Sequence, residues 1–273
     1  MNWNRYKTLL VLCLIFSVSS PLHAKVHEYV LENGLKVLVK PDHRFPVVIS
    51  QIWYKVGSSY EYGGITGISH MLEHMMFKGT PDVPSGEFSR TIAALGGQEN
   101  AFTSSDYTAY FQRLEKSRLE TSFRLEADRM RNALFPEDEF IKERDVVAEE
   151  RRLRTEDNPQ AKAFEQFKAT AFISSPYQHS VIGWMADIQN YDVEDARQWY
   201  RQWYAPNNAT LVVVGDVEPE EVLKLAKKYY GPIQPEKVPE LKPRPEIPQS
   251  GERRLTLKFP ATIDYLMMGY KVP

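Results

Sequence analysis

Apolar and polar residues change rhythm along this chain in a way that separates strands from helices. From Val26 to Lys40 two alternating runs flank Asn33-Gly34, the pattern of a hairpin with a tight turn. Val47 to Val56 is a third strand, rich in β-branched and aromatic residues and closed by Gly57. At Ile65, Ile68, Leu72, Met75 and Met76 the spacing becomes three and four, which predicts a helix with one apolar face. Gly63 and Gly64 precede that helix, and Gly79 follows it, where a helix end favours positive φ. Ser85 to Leu95 predicts a second helix, ended by Gly96-Gly97. Gln98 to Leu114 returns to strand-like alternation, with a turn at Ser104-Ser105-Asp106.

Helical spacing resumes from Lys116 to Leu134, with Leu119, Phe123, Leu125, Ala127 and Met130 as the inner residues. Pro136 opens a helix running to about Thr155, and Pro159 to Ile173 forms another. Pro176 to Gly183 reads as loop, Val193 to Tyr204 as helix, and Thr210 to Val214 as a buried strand ending at Gly215-Asp216. Glu218 to Tyr230 is a last helix, closed by Gly231. Six prolines between Pro232 and Ser250 mark an extended linker, and strand-like alternation resumes from Arg253 to Lys271.

Strands and helices mixed throughout predict an α+β fold, with a mixed or antiparallel sheet packed against helices. The expected organisation is a targeting segment over 1–24, a folded domain over 25–231 and a Pro-rich linker over 232–250. Residues 251–273 are then the first strands of a second domain in a truncated or naturally shortened chain.

The chain has 273 residues, 42% hydrophobic and 26% charged, within the ordinary globular range. A formal charge of −2 gives no basis for binding nucleic acid or an anionic membrane surface. Arg5 and Lys7, the apolar run from Leu9 to Phe16 with Val18, and Leu22-His23-Ala24 predict a signal peptide cleaved before Lys25. The run is too short to span a bilayer; the alternative is an uncleaved anchor. Cleavage implies a periplasmic or secreted protein with no membrane span, and takes the formal charge to −4. It also removes Cys13, the one cysteine, which leaves no thiolate for metal or catalysis.

Within the first predicted helix, His70-Met71-Leu72-Glu73-His74 places two imidazoles at i and i+4, on one side. Glu73 lies at the edge of that side. Two neutral imidazoles with a carboxylate beside them form a zinc half-site with a base attached, in the reverse order of H-E-x-x-H. A third protein ligand is needed. The helix from Pro136 carries Glu143 and Glu150 seven residues apart, on one face with Val146 and Val147 between them. The alternative for this helix is an exposed acidic surface with Arg144, Arg151 and Arg152 as partners, the reading preferred for Glu137 and Glu149.

Four blocks resemble the pitrilysin/insulinase-type, or inverzincin, zinc metallopeptidases, a family that includes the β-type subunits of mitochondrial processing peptidases. They are Trp53 through Glu61 to Gly67–Thr80; Gly97 to Thr103 with Thr108 and Tyr110; Glu143 to Glu150; and Trp203 to Thr210 with Gly215-Asp216. The resemblance covers about Tyr29 to Tyr270 and implies the catalytic half-domain of that family. It implies that His70, His74 and Glu150 bind one zinc ion per chain and that Glu73 is the general base. It also implies that Glu143 orients a ligand histidine. By the same resemblance Asn100, Ala101 and Phe102 lie on an edge strand, where a substrate peptide adds as a further strand.

The implied reaction is hydrolysis of peptides or unfolded polypeptides by a zinc-activated water that Glu73 deprotonates. Family members have a second half, or a separate partner subunit, that closes a chamber over the site. The alternative is therefore a non-catalytic or partner-dependent peptide-binding subunit. A small-molecule hydrolase or lyase is a further alternative, which the edge strand disfavours. His179 is a weaker ligand candidate, in a loop that lines the cleft or connects elements; His27 and His43 read as surface residues.

Overall fold

A computed structural model describes residues 25–271, so the expected signal peptide lies outside the described residues. The hairpin at Asn33-Gly34 joins β1 (His27–Val30) to β2 (Lys36–Pro41). Then come β3 (Val47–Tyr54), α1 (Ile68–Met75), α2 (Glu87–Ala94), β4 (Gln98–Thr103), β5 (Thr108–Glu115) and α3 (Leu119–Asn132). The second half of the chain adds α4 (Glu137–Arg151), a π turn over Arg152–Glu156, α5 (Pro159–Ala171), α6 (Met185–Asn190), α7 (Val193–Trp203), β6 (Ala209–Gly215) and α8 (Pro219–Tyr229).

The six strands form one sheet in the order β1-β2-β6-β3-β5-β4. The last of the described strands, β6, inserts between β2 and β3, parallel to the first and antiparallel to the second, so the sheet is mixed. Alternation sets its faces: Val48, Ser50, Ile52 and Tyr54 of β3 are buried under the helices, and their neighbours are only half covered. The fold is thus α+β, with β4 at one edge.

The predicted inner faces of α1 and α3 are buried as expected. Ile68, Met71, Leu72 and Met75 are wholly covered, each contributing about 1.5–3 kcal/mol over an exposed position. Below α1, Tyr54 stacks on Tyr204 at 4.1 Å, and the Tyr110 and Tyr204 hydroxyls hydrogen-bond at 2.8 Å. These buried polar tips satisfy each other, which lets large rings fill the core.

Three expectations change. Helix α6 falls between the expected loop and the helix from Val193, and its six residues are too few to display a helical period. Val146 is exposed and only Val147 is buried, so the covered stripe of α4 runs through Phe140, Val147, Ala148 and Arg151. Of residues 251–273, expected as the first strands of a second domain, the described part, 251–271, forms no strand. Alternation alone makes no ladder, and none of the described strands pairs with them.

Candidate metal centre

The helix carrying both histidines starts without a side-chain cap of its own. Gly67 precedes it at φ +89°, and a Cβ there would sit 2.3 Å from the Ile182 carbonyl oxygen. The cap comes instead from Glu61, wholly buried, whose carboxylate accepts from the backbone N–H groups of Gly67 at 2.7 Å and Ser69 at 2.8 Å. Burial pushes the Glu61 carboxyl up to about 8, against the pull of those two donors. Trp199 Nε1 of α7 donates to Ser69 Oγ at 3.1 Å. With its apolar face buried, α1 has one rotation available, and His70, Glu73 and His74 occupy the remaining side.

Helix α4 crosses that side. His74 Nε2 lies 3.5 Å, and His70 Nε2 3.8 Å, from the same oxygen, Glu150 Oε2. One ligand atom from each of the three residues falls within 4.8 Å of the other two. Contacts of 3.5 and 3.8 Å exceed a hydrogen bond. The first falls within, and the second just beyond, the roughly 3.3–3.6 Å between donors that sit about 2.0–2.2 Å from a tetrahedral zinc ion. Desolvation takes the His70 imidazole down to about 3, so it is neutral and its nitrogen lone pair is free to coordinate. The donor set therefore fits a divalent ion of borderline softness.

Other contacts orient this set. His74 Nδ1 donates to Glu143 Oε1 at 2.8 Å, which assigns the proton to Nδ1 and the lone pair to Nε2. Lys78 pairs with the other Glu143 oxygen. The His74 hydrogen bond, with the Lys78 ammonium beside it, holds the Glu143 carboxyl at about 2. Arg154, in the π turn, binds Glu150 Oε1 at 2.8 Å and leaves Oε2 for the histidines. His70 Nδ1 is buried with no protein partner.

Glu73 faces the same space without joining the three. Burial raises its carboxyl above the usual carboxylate range, although Thr103 Oγ1 donates to Glu73 Oε2 at 2.5 Å. Thr103 ends β4, so the edge strand abuts α1 at this point. Asn100 and Phe102 share one face of β4, and Ala101 faces the helices with Tyr110. Phe102 meets Trp53 edge to face at 5.3 Å.

Residues 36–183 match the family model described as Insulinase (Peptidase family M16). The chain belongs to the insulinase family of peptidases, family M16. A second model, Peptidase M16 inactive domain, matches residues 190–273 of this M16 chain. It is 38% identical to the zinc protease PqqE of Helicobacter pylori over 269 residues, 95% of this chain and 61% of that protein. The crystal structure of a protease from Helicobacter pylori superposes with a TM-score of 0.79 at 38% identity, covering 82% of this chain and 54% of that one. The first half of the periplasmic protease PqqL from Escherichia coli superposes at 0.75 with 28% identity, covering 82% and 49%. The M16 chain thus spans about three fifths, or less, of the length of these relatives.

Of the other sequence candidates, His179 is buried 4.0 Å from Glu61 Oε2 and stands apart from the three converging residues. His43 pairs with Asp216 at 2.6 Å on the surface. Sequence reasoning assigned no role to Glu61, Lys78, Thr103 or Arg154. Only Lys78 had a local signal: four residues after His74, it lies one turn along the same side.

Proposed function

We propose that this chain carries the catalytic centre of a zinc-dependent endopeptidase acting on peptides or unfolded polypeptides. The observation that carries the reading is the convergence of His70, His74 and Glu150 within 4.8 Å, beside Glu73 and an open sheet edge. The residues that would hold one zinc ion are those three. Zinc in this position supplies Lewis acidity, polarising the scissile carbonyl and acidifying a water.

Glu73 takes the proton from the attacking water and returns it to the leaving amine. Its burial makes the carboxylate a stronger base, and the Thr103 hydroxyl holds one oxygen so that the other faces the reacting atoms. Asn100, Ala101 and Phe102 lie on β4 at the open edge of the sheet, where an extended peptide pairs as a seventh strand. Phe102, against Trp53 and Tyr107, gives one side-chain position an apolar surface. Glu143, steadied by Lys78, keeps His74 in the ligating tautomer.

A second half or a partner subunit closes the chamber over this site, in keeping with a relative known as the first half of a periplasmic protease. The leader over residues 1–24 directs the protein to the periplasm or the exterior. Among the described residues no helix is long and apolar enough to cross a membrane. Metal content of the purified protein, with turnover of a quenched peptide before and after chelation, tests the reading. One zinc per chain and chelator-sensitive cleavage are expected; a metal-free protein that takes up none refutes it.

A further inference from the structure

The residue after the third proposed ligand is an arginine buried to 2% exposure. Arg151 is thus no surface partner of the acidic helix. Its Nη1 donates to Glu165 Oε1 at 2.8 Å and to the Gly183 carbonyl at 2.6 Å, and its Nη2 to Glu165 Oε2 at 2.9 Å. Glu165, on α5, is buried to 4% and also accepts from Ser180 Oγ at 2.8 Å. Glu156 adds a contact at 3.1 Å. This network closes the α4–α5 hairpin just after Glu150 and grips the loop that ends at Gly183.

The same loop is stapled to the start of α1. A Cβ on Gly183, at φ +80°, would lie 2.1 Å from the Thr66 carbonyl oxygen, so the two backbones touch. Trp184 N–H donates to Thr66 Oγ1 at 2.9 Å, and Asp187 Oδ2 accepts from Thr66 Oγ1 at 2.5 Å and from the Thr66 N–H at 3.1 Å. A chain of short polar contacts therefore runs from the residue beside Glu150, through Gly183, to four residues before His70.

We propose that Arg151 is a positioning residue for the metal centre, setting through Gly183 the separation between the α4 ligand and the two α1 ligands. The inference rests on the zinc reading above. A retained buried ion pair is weak evidence of stability, because desolvation cancels much of its attraction. Geometry is the better reason for this one: the guanidinium fork holds a carboxylate and a carbonyl at fixed angles. Direct packing of α1 on α4 is the competing way of setting the separation.

The test measures zinc affinity by competition with a chelator, and thermal unfolding of the metal-free protein. Arg151→Met combined with Glu165→Gln removes the fork without stranding a buried charge. Gly183→Ala pushes the loop off Thr66 and leaves every charge in place. Val222→Ala, in α8, which packs on α3 and β2, is the control for general destabilisation. Both brace variants are expected to bind zinc about tenfold or more weakly, while the control lowers the melting temperature and binds as wild type. Wild-type affinity in the brace variants overturns the inference alone, as does a loss that the control shares. Failure of both brace variants to fold also overturns it, the network then serving the whole domain. A wild-type chain that takes up no zinc overturns this and the zinc reading together.

Discussion

Replacing Glu143 by glutamine separates the shape of its side chain from its charge. The amide oxygen can still accept from His74 Nδ1, so the tautomer survives. The charge does not, and Lys78 is left with Glu139 at 3.8 Å as its nearest carboxylate. The Glu143 side chain is 13% exposed, so water restores little of what is lost. Without the carboxylate the imidazole is a weaker electron donor, and its ring is held less firmly. The expected loss is about 10- to 100-fold in zinc affinity, or roughly 1.4–2.7 kcal/mol. Glu143→Ala removes the acceptor as well, strands the imidazole N–H, and falls at the upper end. Chelator competition on the purified protein reads both, with Glu137→Gln, an exposed acid on the same helix, as the neutral comparison. Zinc affinity within about twofold of wild type in both Glu143 variants would refute the argument that this carboxylate orients a ligand.

Three other outcomes are expected. Glu73→Gln keeps zinc and the fold but lowers peptide turnover by about 10²–10⁴-fold or more; near-normal turnover in peptidase assays removes Glu73 as base. Gly67→Ala forces a Cβ against the Ile182 carbonyl at positive φ and costs about 1–3 kcal/mol or more in urea unfolding of the metal-free protein; an unchanged midpoint contradicts the packing described. Glu246 is held below the usual carboxylate range by Lys271 and by the N–H groups of Ser175, Ile173 and Ser174. A depressed folded-state pKa stabilises above the unfolded value of about 4.3 and fades as pH falls below it. Limited proteolysis should therefore find the 232–250 segment protected at neutral pH and cut faster in acid, and cut fast at both pH values in Glu246→Ala.

The local half of the candidate site was legible because it obeys one helix's periodicity. Ile68, Leu72 and Met75 declare a buried face, and His70, Glu73 and His74 are then on the opposite side by geometry alone. Glu150 was not legible in that way. Its helix buries Phe140, Val147 and Arg151, mixes acids into the half-covered flank, and leaves Val146 in solvent, so no clean apolar face marks which carboxylate points inward. Only the resemblance singled out Glu150. Long-range pairing was equally hidden: nothing in Thr210–Val214 indicates that it pairs with β2 and β3, far apart in sequence. Asn33 carries the same lesson. Its role in the hairpin turn is local, but its Nδ2 also donates to the carbonyls of Tyr230 and Ile233, closing the end of α8.

The proposed substrate edge and the proposed base are not independent features. In an antiparallel pair a slip of one residue turns every side chain to the other face. The register Thr103↔Thr108 and Ala101↔Tyr110 is what directs the Thr103 hydroxyl at Glu73 while Asn100 and Phe102 face away. A peptide that pairs along β4 is therefore indexed, through the same ladder, to the residue proposed to move the proton. The turn over Ser104–Asp106 secures that index: Ser58 N–H donates to the Ser104 carbonyl at 3.1 Å and Ser59 N–H to that of Ser105 at 2.8 Å. Those two donors lie just before Glu61, which caps the histidine helix. One short segment thus fixes the start of the helix bearing the proposed ligands and the end of the strand bearing the proposed substrate edge, and neither can shift without disturbing the other.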